Sequence, residues 1–145
     1  MPTQRIEELN QLLADEAVYY QKLRNFHWNV RGPAFFQLHV KFEEMYTASA
    51  LNVDAVAERI LALGGRPKST LKEFLDASRI KEQAEVPVAE KMVAEVRDNL
   101  NALVGYVNAV RKTAEKSGDD TTVNLLDDLS QQHEQDAWML RAWLS

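Results

Sequence analysis

The chain has 145 residues, 46% of them hydrophobic, which is one domain's worth of sequence with enough apolar material for a single core. Its net charge of −5 argues against a general electrostatic grip on nucleic acid and suits an attraction for cations. It has no cysteine, so disulfides and thiolate metal sites are excluded and a reducing cytoplasm is expected; no apolar run is long enough to span a bilayer, and no signal-peptide pattern opens the chain.

The first predicted element is a helix over 3–30, with Thr3 as N-cap and Ile6, Leu9, Leu13, Ala17, Tyr20 and Leu23 recurring at helical spacing. The "RGP" at 31–33 ends it. A second helix is predicted over 34–63, burying Phe35, Leu38, Phe42, Met45, Val56, Ile60 and Leu63 and stopping at Gly64-Gly65 and Pro67. A polar stretch then runs to Val86, with a short helix at 69–75 capped by Ser69 or Thr70. Pro87 opens a third long helix, 87–116, with Met92, Val96, Leu100, Leu103, Val107 and Val110 inside. After "KSGDD" a fourth long helix covers about 121–144, starting near Asp119 or Asp120 and burying Leu125, Leu126, Leu129, Trp138, Leu140 and Leu144. No β-alternation or repeat is present. Four long helices joined by short, long and short connections predict an all-α, ferritin-like four-helix bundle in one domain, 1–145, with a crossover between helices two and three.

Two of the three histidines, His27 and His39, flank the breaker at 31–34, so an antiparallel turn brings the imidazoles to similar heights. Two histidines at helix ends can be core residues, caps or metal ligands. The second helix favours ligands. His39, Glu43, Asp54 and Glu58 share one broad face, adjacent to the Leu38/Phe42/Met45 face that enters the bundle. A solvated charged face would rarely also collect Tyr46, Ala50, Ala57 and Leu61. Positions 39 and 58 have the same midpoint as 43 and 54. At 1.5 Å per residue, His39 and Asp54 are about 22 Å apart, too far for one metal. A second antiparallel copy crossing near Ala48-Ser49, among the small residues of "TASA", sets His39 opposite the partner chain's position 58 and Glu43 opposite its position 54. A two-fold dimer then carries two sites, each joining His27, His39 and Glu43 to Asp54 and Glu58 from the other chain. Mixed imidazole and carboxylate donors suit iron or zinc. A di-iron centre within one bundle needs Glu-x-x-His motifs, and Arg24, Phe36 and Ser130 stand three residues before the histidines instead. His133 has no visible partner and reads as structural or exposed.

With "HWNVRG", "FFQLH", "FEEMY" and "DAVAERILALGG" in order and the four-helix layout over the whole chain, the sequence resembles the Dps family of mini-ferritins. The resemblance implies a hollow dodecamer with ferroxidase centres at two-fold interfaces, where His27, His39, Asp54 and Glu58 ligate iron and carry the catalysis. Glu43 stands where the family often has an aspartate at the second iron, and its longer side chain departs from that pattern. Trp28 stands where the family places a tryptophan beside the centre. Glu115, Asp119 and Asp120 match acidic residues that line iron-entry pores, although Asn124 replaces an acid found in some relatives; acids at 119 and 120 also serve a helix start simply as caps.

The resemblance implies oxidation of Fe2+ by hydrogen peroxide and storage of ferric mineral, with zinc as a competing metal. The alternatives are a DNA-protecting nucleoid protein and a structural or zinc-binding oligomer without turnover. Arg5 is the sole basic residue among the first twenty, and the chain ends "LRAWLS", so weak or absent DNA binding is expected.

Overall fold

The computed structural model describes residues 2–145. Five helices make up the described chain: α1 (Pro2–Asn29), α2 (Phe35–Ala62), α3 (Leu71–Ala77), α4 (Ala89–Lys116) and α5 (Asp120–Leu144), with no strand among the described residues. The five-residue connection after α1 and the three-residue one after α4 fold each long helix back on its neighbour, so α1 packs on α2 and α4 on α5. Residues 63–88 cross the bundle and lay α3 against α1. This is the expected all-α bundle with one crossover. No described helix is long and apolar enough to cross a membrane.

The local chemistry explains where each helix stops. At the end of α2, Gly64 N–H bonds the Leu61 carbonyl at 2.9 Å and Gly65 N–H bonds that of Ile60 at 2.9 Å. This Schellman pattern needs the left-handed φ of +90° that Gly64 supplies. The same pattern closes α4, where Gly118 (φ +69°) bonds Glu115 O and Asp119 N–H bonds Ala114 O. Asp119 thereby becomes the N-cap of α5 and accepts the Thr122 amide at 3.2 Å. Thr70 rather than Ser69 caps α3, in a reciprocal capping box with Glu73. Two expected starts move. α1 already includes Thr3, and α4 begins at Ala89, leaving Pro87 in the extended lead-in.

The core forms two clusters along the bundle. One gathers Tyr19, Phe26, Phe42, Met92, Leu100 and Leu103; the other gathers Leu9, Leu13, Val56, Ile60, Val107 and Leu126. Burying each such large side chain is worth about 1.5–3 kcal/mol. Trp138 was expected inside but is 55% exposed. The buried stripe of α5 runs through Leu126, Leu129, Ser130, His133, Ala137 and Leu140. Position 138 lies roughly 100° beyond Ala137 on the helix and faces outward.

The interior also holds polar residues that periodicity did not reveal. Glu16 and His133 are both fully buried, and His133 Nε2 lies 2.7 Å from a Glu16 carboxylate oxygen. His133 is therefore structural, its partner lying on α1. Burial disfavours its imidazolium, but the charge and hydrogen bond of Glu16 outweigh that and raise its pKa. Buried Asp15 accepts from the Arg79 guanidinium at 2.6 Å, tying the crossover to α1, while that guanidinium lies 3.7 Å from the Tyr106 ring centroid. Arg5 and Arg59 bind Asp119 at 2.6 and 2.9 Å. Burial opposes ionisation of Asp119, yet Thr122, Arg5 and Arg59 prevail and hold its pKa at about 2.

Two predictions follow from these pairs. Replacing His133 by alanine strands a buried carboxylate and costs about 3–5 kcal/mol in urea unfolding near pH 6. Because the folded pKa of His133 is raised, the pair's contribution is complete below its unfolded value and fades as pH rises through the folded one, so the deficit shrinks in alkaline buffer. Asp119 has the opposite sign. Its contribution is present above its ordinary value of 3.8 and is lost as pH falls toward 2. Asp119→Asn should lower stability by about 1–2 kcal/mol at pH 7 and by far less at pH 2.

Candidate metal centre

The turn between α1 and α2 builds the site. Val30 N–H closes α1 on the Phe26 carbonyl, Gly32 adopts φ +108°, and Phe35 N–H returns to Gly32 O at 3.0 Å. This sets buried His27, in the last turn of α1, beside half-buried His39 near the start of α2. Each imidazole then bonds the backbone of the other residue: His27 Nδ1 lies 2.6 Å from His39 O, and His39 Nδ1 lies 2.7 Å from His27 O. A carbonyl can only accept, so both rings carry hydrogen on Nδ1 and donate it. In the neutral imidazoles both Nε2 lone pairs are left free, the form in which histidine binds a metal.

The rings are stacked, with centroids 3.8 Å apart and planes 15° from parallel. Phe35 stacks on His39 at 4.9 Å, and Tyr46 meets His27 edge-on at 5.3 Å. The imidazoles are thus fixed by backbone bonds and by aromatic contacts. A Glu43 carboxylate oxygen lies 3.8 Å from His27 Nε2. Donor atoms of His27, His39 and Glu43 all fall within 4.8 Å of one another. Two imidazole nitrogens and one carboxylate oxygen form a borderline donor set that one cation can join.

Asp54 and Glu58 are not part of this cluster. α2 is unbroken from Phe35 to Ala62, so the separation of about 22 Å between His39 and Asp54 holds. Both acids are exposed, and among the described residues neither side chain takes part in a hydrogen bond or ion pair. They share their face with half-buried Tyr46 and Ala57, exposed Ala50, and Leu61, which is 58% exposed. The chain therefore presents two groups of polar side chains, His27, His39 and Glu43 at one end of the α2 stripe and Asp54 and Glu58 at the other. The middle of the stripe differs in one detail from expectation. Ser49 is buried against its own bundle, so the small residues facing outward at the expected crossing are Thr47 and Ala50.

The remaining candidates divide. Trp28 is exposed, and its indole lies under the Arg24 guanidinium at 4.9 Å rather than against either imidazole. Among the described residues, the rings packed on His27 are those of His39 and Tyr46. Glu115 and Asp120 are exposed near the start of α5, with Glu115 3.3 Å from Arg111. Asp119 differs from the other two in its surroundings. Its carboxylate is turned inward and occupied by Arg5, Arg59 and Thr122, so it acts as a cap and an ion-pair hub. Tyr46 is the residue the sequence underplayed. It was placed on the stripe only as an apolar neighbour, although its offset of seven from His39 puts the two on one helix face.

Comparison with known proteins shows the family. The ferritin-like domain family matches residues 6–145. The chain is 46% identical to DNA protection during starvation protein 2 of Bacillus anthracis, over 100% of this chain and 99% of that protein. It is 41% identical to general stress protein 20U of Bacillus subtilis, over 99% of each. A crystal structure of a Dps protein from Bacillus brevis superposes with a TM-score of 0.97 at 40% identity, covering 99% of this chain and 97% of that one. A Dps protein from Vibrio cholerae, described as a member of a broad superfamily of ferritin-like diiron-carboxylate proteins, gives 0.96 at 36% identity, covering 99% and 91%. The chain belongs to the ferritin-like family and, within it, to the Dps mini-ferritins.

Proposed function

We propose that the protein is a ferroxidase that captures Fe2+ at a centre shared by two subunits, oxidises it with hydrogen peroxide and retains the ferric product in a hollow dodecamer in the cytoplasm. The observation that carries this reading is the reciprocal bonding of His27 and His39, which frees two Nε2 lone pairs within 4.8 Å of a Glu43 donor atom. The diiron-carboxylate description of the Vibrio cholerae relative supports iron as the metal. Zinc fits the same donors and would act as a competitor. A Listeria innocua Dps was studied after soaking with zinc.

In this reading Fe2+ is the substrate. Neutral imidazoles hold it at moderate strength, and the Glu43 carboxylate favours the higher charge of the product. Asp54 and Glu58 complete the donor set from the other subunit, across a two-fold axis near the middle of α2. Exposed Glu115 and Asp120 draw the cation toward the shell.

Subunit complementation tests the shared centre. A His27→Ala/His39→Ala protein and an Asp54→Ala/Glu58→Ala protein should each lose peroxide-dependent Fe2+ oxidation. Co-assembled at random, they regain about a quarter of the intact sites, because half the dimers are mixed and each mixed dimer has one whole centre. Failure of the mixture to recover, followed by absorbance of the ferric product, would overturn the shared-site reading. Wild-type rates in the double-histidine variant would instead favour a structural interface without turnover.

DNA protection is named for several relatives. Here the net charge is −5, and Arg5, the basic residue nearest the N-terminus, is already engaged by Asp119. Gel-shift assays at physiological salt should show no retardation of duplex DNA, and retardation should appear only at low salt, where screening is weak.

A further inference from the structure

His39 has a flat ring on each of its faces. His27 stacks on one, with centroids 3.8 Å apart and planes 15° from parallel. Phe35 stacks at 4.9 Å and 21°. Two rings that close cannot share one face without overlapping, so Phe35 covers the face opposite His27. The sequence places it there. Phe35 is four residues before His39, one helix turn away, and helical side chains lean back toward the preceding turn. Phe35 is itself held. Its N–H bonds Gly32 O at 3.0 Å, and its half-buried ring packs against the core cluster that contains Phe26, Leu38 and Phe42. The neighbouring Phe36 is 79% exposed and meets Phe35 edge-on at 5.5 Å, without a ring contact to either imidazole among the described residues.

A hydrogen bond alone would leave His39 one freedom that matters for a ligand. The bond from Nδ1 to His27 O fixes one atom of the ring, and a carbonyl accepts over a broad range of directions. The imidazole could still tilt about that bond, and the tilt would swing Nε2 with its lone pair. Tilting drives the ring edges into Phe35 on one side and His27 on the other. We propose that Phe35 is a positioning residue of the metal centre, which closes the outer face of His39 and so aims Nε2 before the cation arrives. The proposal rests on the reading of this site as the one that takes Fe2+. Phe35 carries no donor atom on its side chain, so it acts only through His39. A leucine there keeps apolar volume but loses the flat face, and His39 must then give up its tilt when a metal binds. That loss falls on affinity and on the geometry around the metal, not on the number of donors.

The test titrates Co2+, whose visible absorption reports ligand geometry, into the assembled, metal-free protein in neutral buffer under argon. The wild type should bind with a visible band that His27→Ala/His39→Ala lacks. Phe35→Leu should bind about tenfold or more weakly, as when other supports of metal ligands are lost, and its band at saturation should be shifted. Phe35→Tyr keeps the flat ring and should restore both affinity and band. Phe36→Leu removes a phenyl that touches neither imidazole and should match the wild type. A merely structural role would instead give fewer loaded sites and a lower melting temperature, with the wild-type band at saturation. That outcome overturns the proposal, as does wild-type affinity in Phe35→Leu, a loss in Phe35→Tyr as deep as in Phe35→Leu, or an equal loss in Phe36→Leu. If Phe35→Leu does not assemble, Phe35→Met, which fills the volume with a flexible chain, takes its place in the same titration. If the wild type binds Co2+ no more tightly than His27→Ala/His39→Ala, the metal reading has failed and takes this inference with it. Wild-type Co2+ binding without peroxide-dependent Fe2+ oxidation would sink the ferroxidase reading alone, and the Co2+ comparison would still decide the role of Phe35.

Discussion

Two hydrogen bonds, each from an imidazole to the backbone of the opposite histidine, hold the candidate centre together. They do three things at once. They lock the turn between α1 and α2, they choose the tautomer of both rings, and they leave both Nε2 atoms free. A histidine whose tautomer is open must lose an alternative arrangement when a metal binds; here that choice is made during folding. Each bond is worth about 0.5–1.5 kcal/mol net. The stack of Phe35, His39 and His27 adds contact that a single bonded ring would lack.

The polar interior shows a contrasting logic. Glu16 has His133, Asp15 has Arg79, and Lys22 has Asn99 and Glu95, all within one chain. These are closed sets, in which burial is compensated inside the fold. The outward stripe of α2 is an open set. Its acids cost little while solvated, and their orientation toward a shared face gives them a use only when another surface arrives. The absence of Glu-x-x-His motifs fits the same division. The bundle interior is occupied by structural pairs, and the donors that remain available lie on its outside.

How much of this was legible in the sequence depends on the kind of interaction. The long helices, the crossover and most core residues follow from apolar periodicity and from Gly64, Gly118 and Pro33 as breakers, because burial and backbone freedom are written one residue at a time. The two-faced character of α2 was legible for the same reason. Trp138 was misplaced because a large apolar residue beside a small one outweighs it in a pattern, although Ala137 takes the inward position. The Glu16–His133 pair and the inward turn of Asp119 were not legible. Each partner is more than a hundred residues from the other, or from Arg5, and no local pattern encodes such a meeting. The reciprocal histidine bonds escape any side-chain pattern because their acceptors are backbone carbonyls, which every residue carries.

The open stripe also ties assembly to the metal. In the proposed dimer, Asp54 and Glu58 move from water to a position facing Glu43, His27 and His39 of the other subunit. Without a cation, three carboxylates are brought together and partly desolvated, which is unfavourable. The apolar residues on the same face, Leu61 and the exposed Leu51 beside it, favour closure regardless of charge. In that dimer a divalent cation removes the carboxylate repulsion and gains its full donor set where both half-sets meet. By linkage, what the metal gains from the dimer the dimer gains from the metal. Oxidation to Fe3+ raises the charge that the three acids balance, so it tightens the interface at the step that makes product. In the proposed dimer the acids of the stripe therefore serve as ligands and also set how firmly two subunits hold each other in each state of loading.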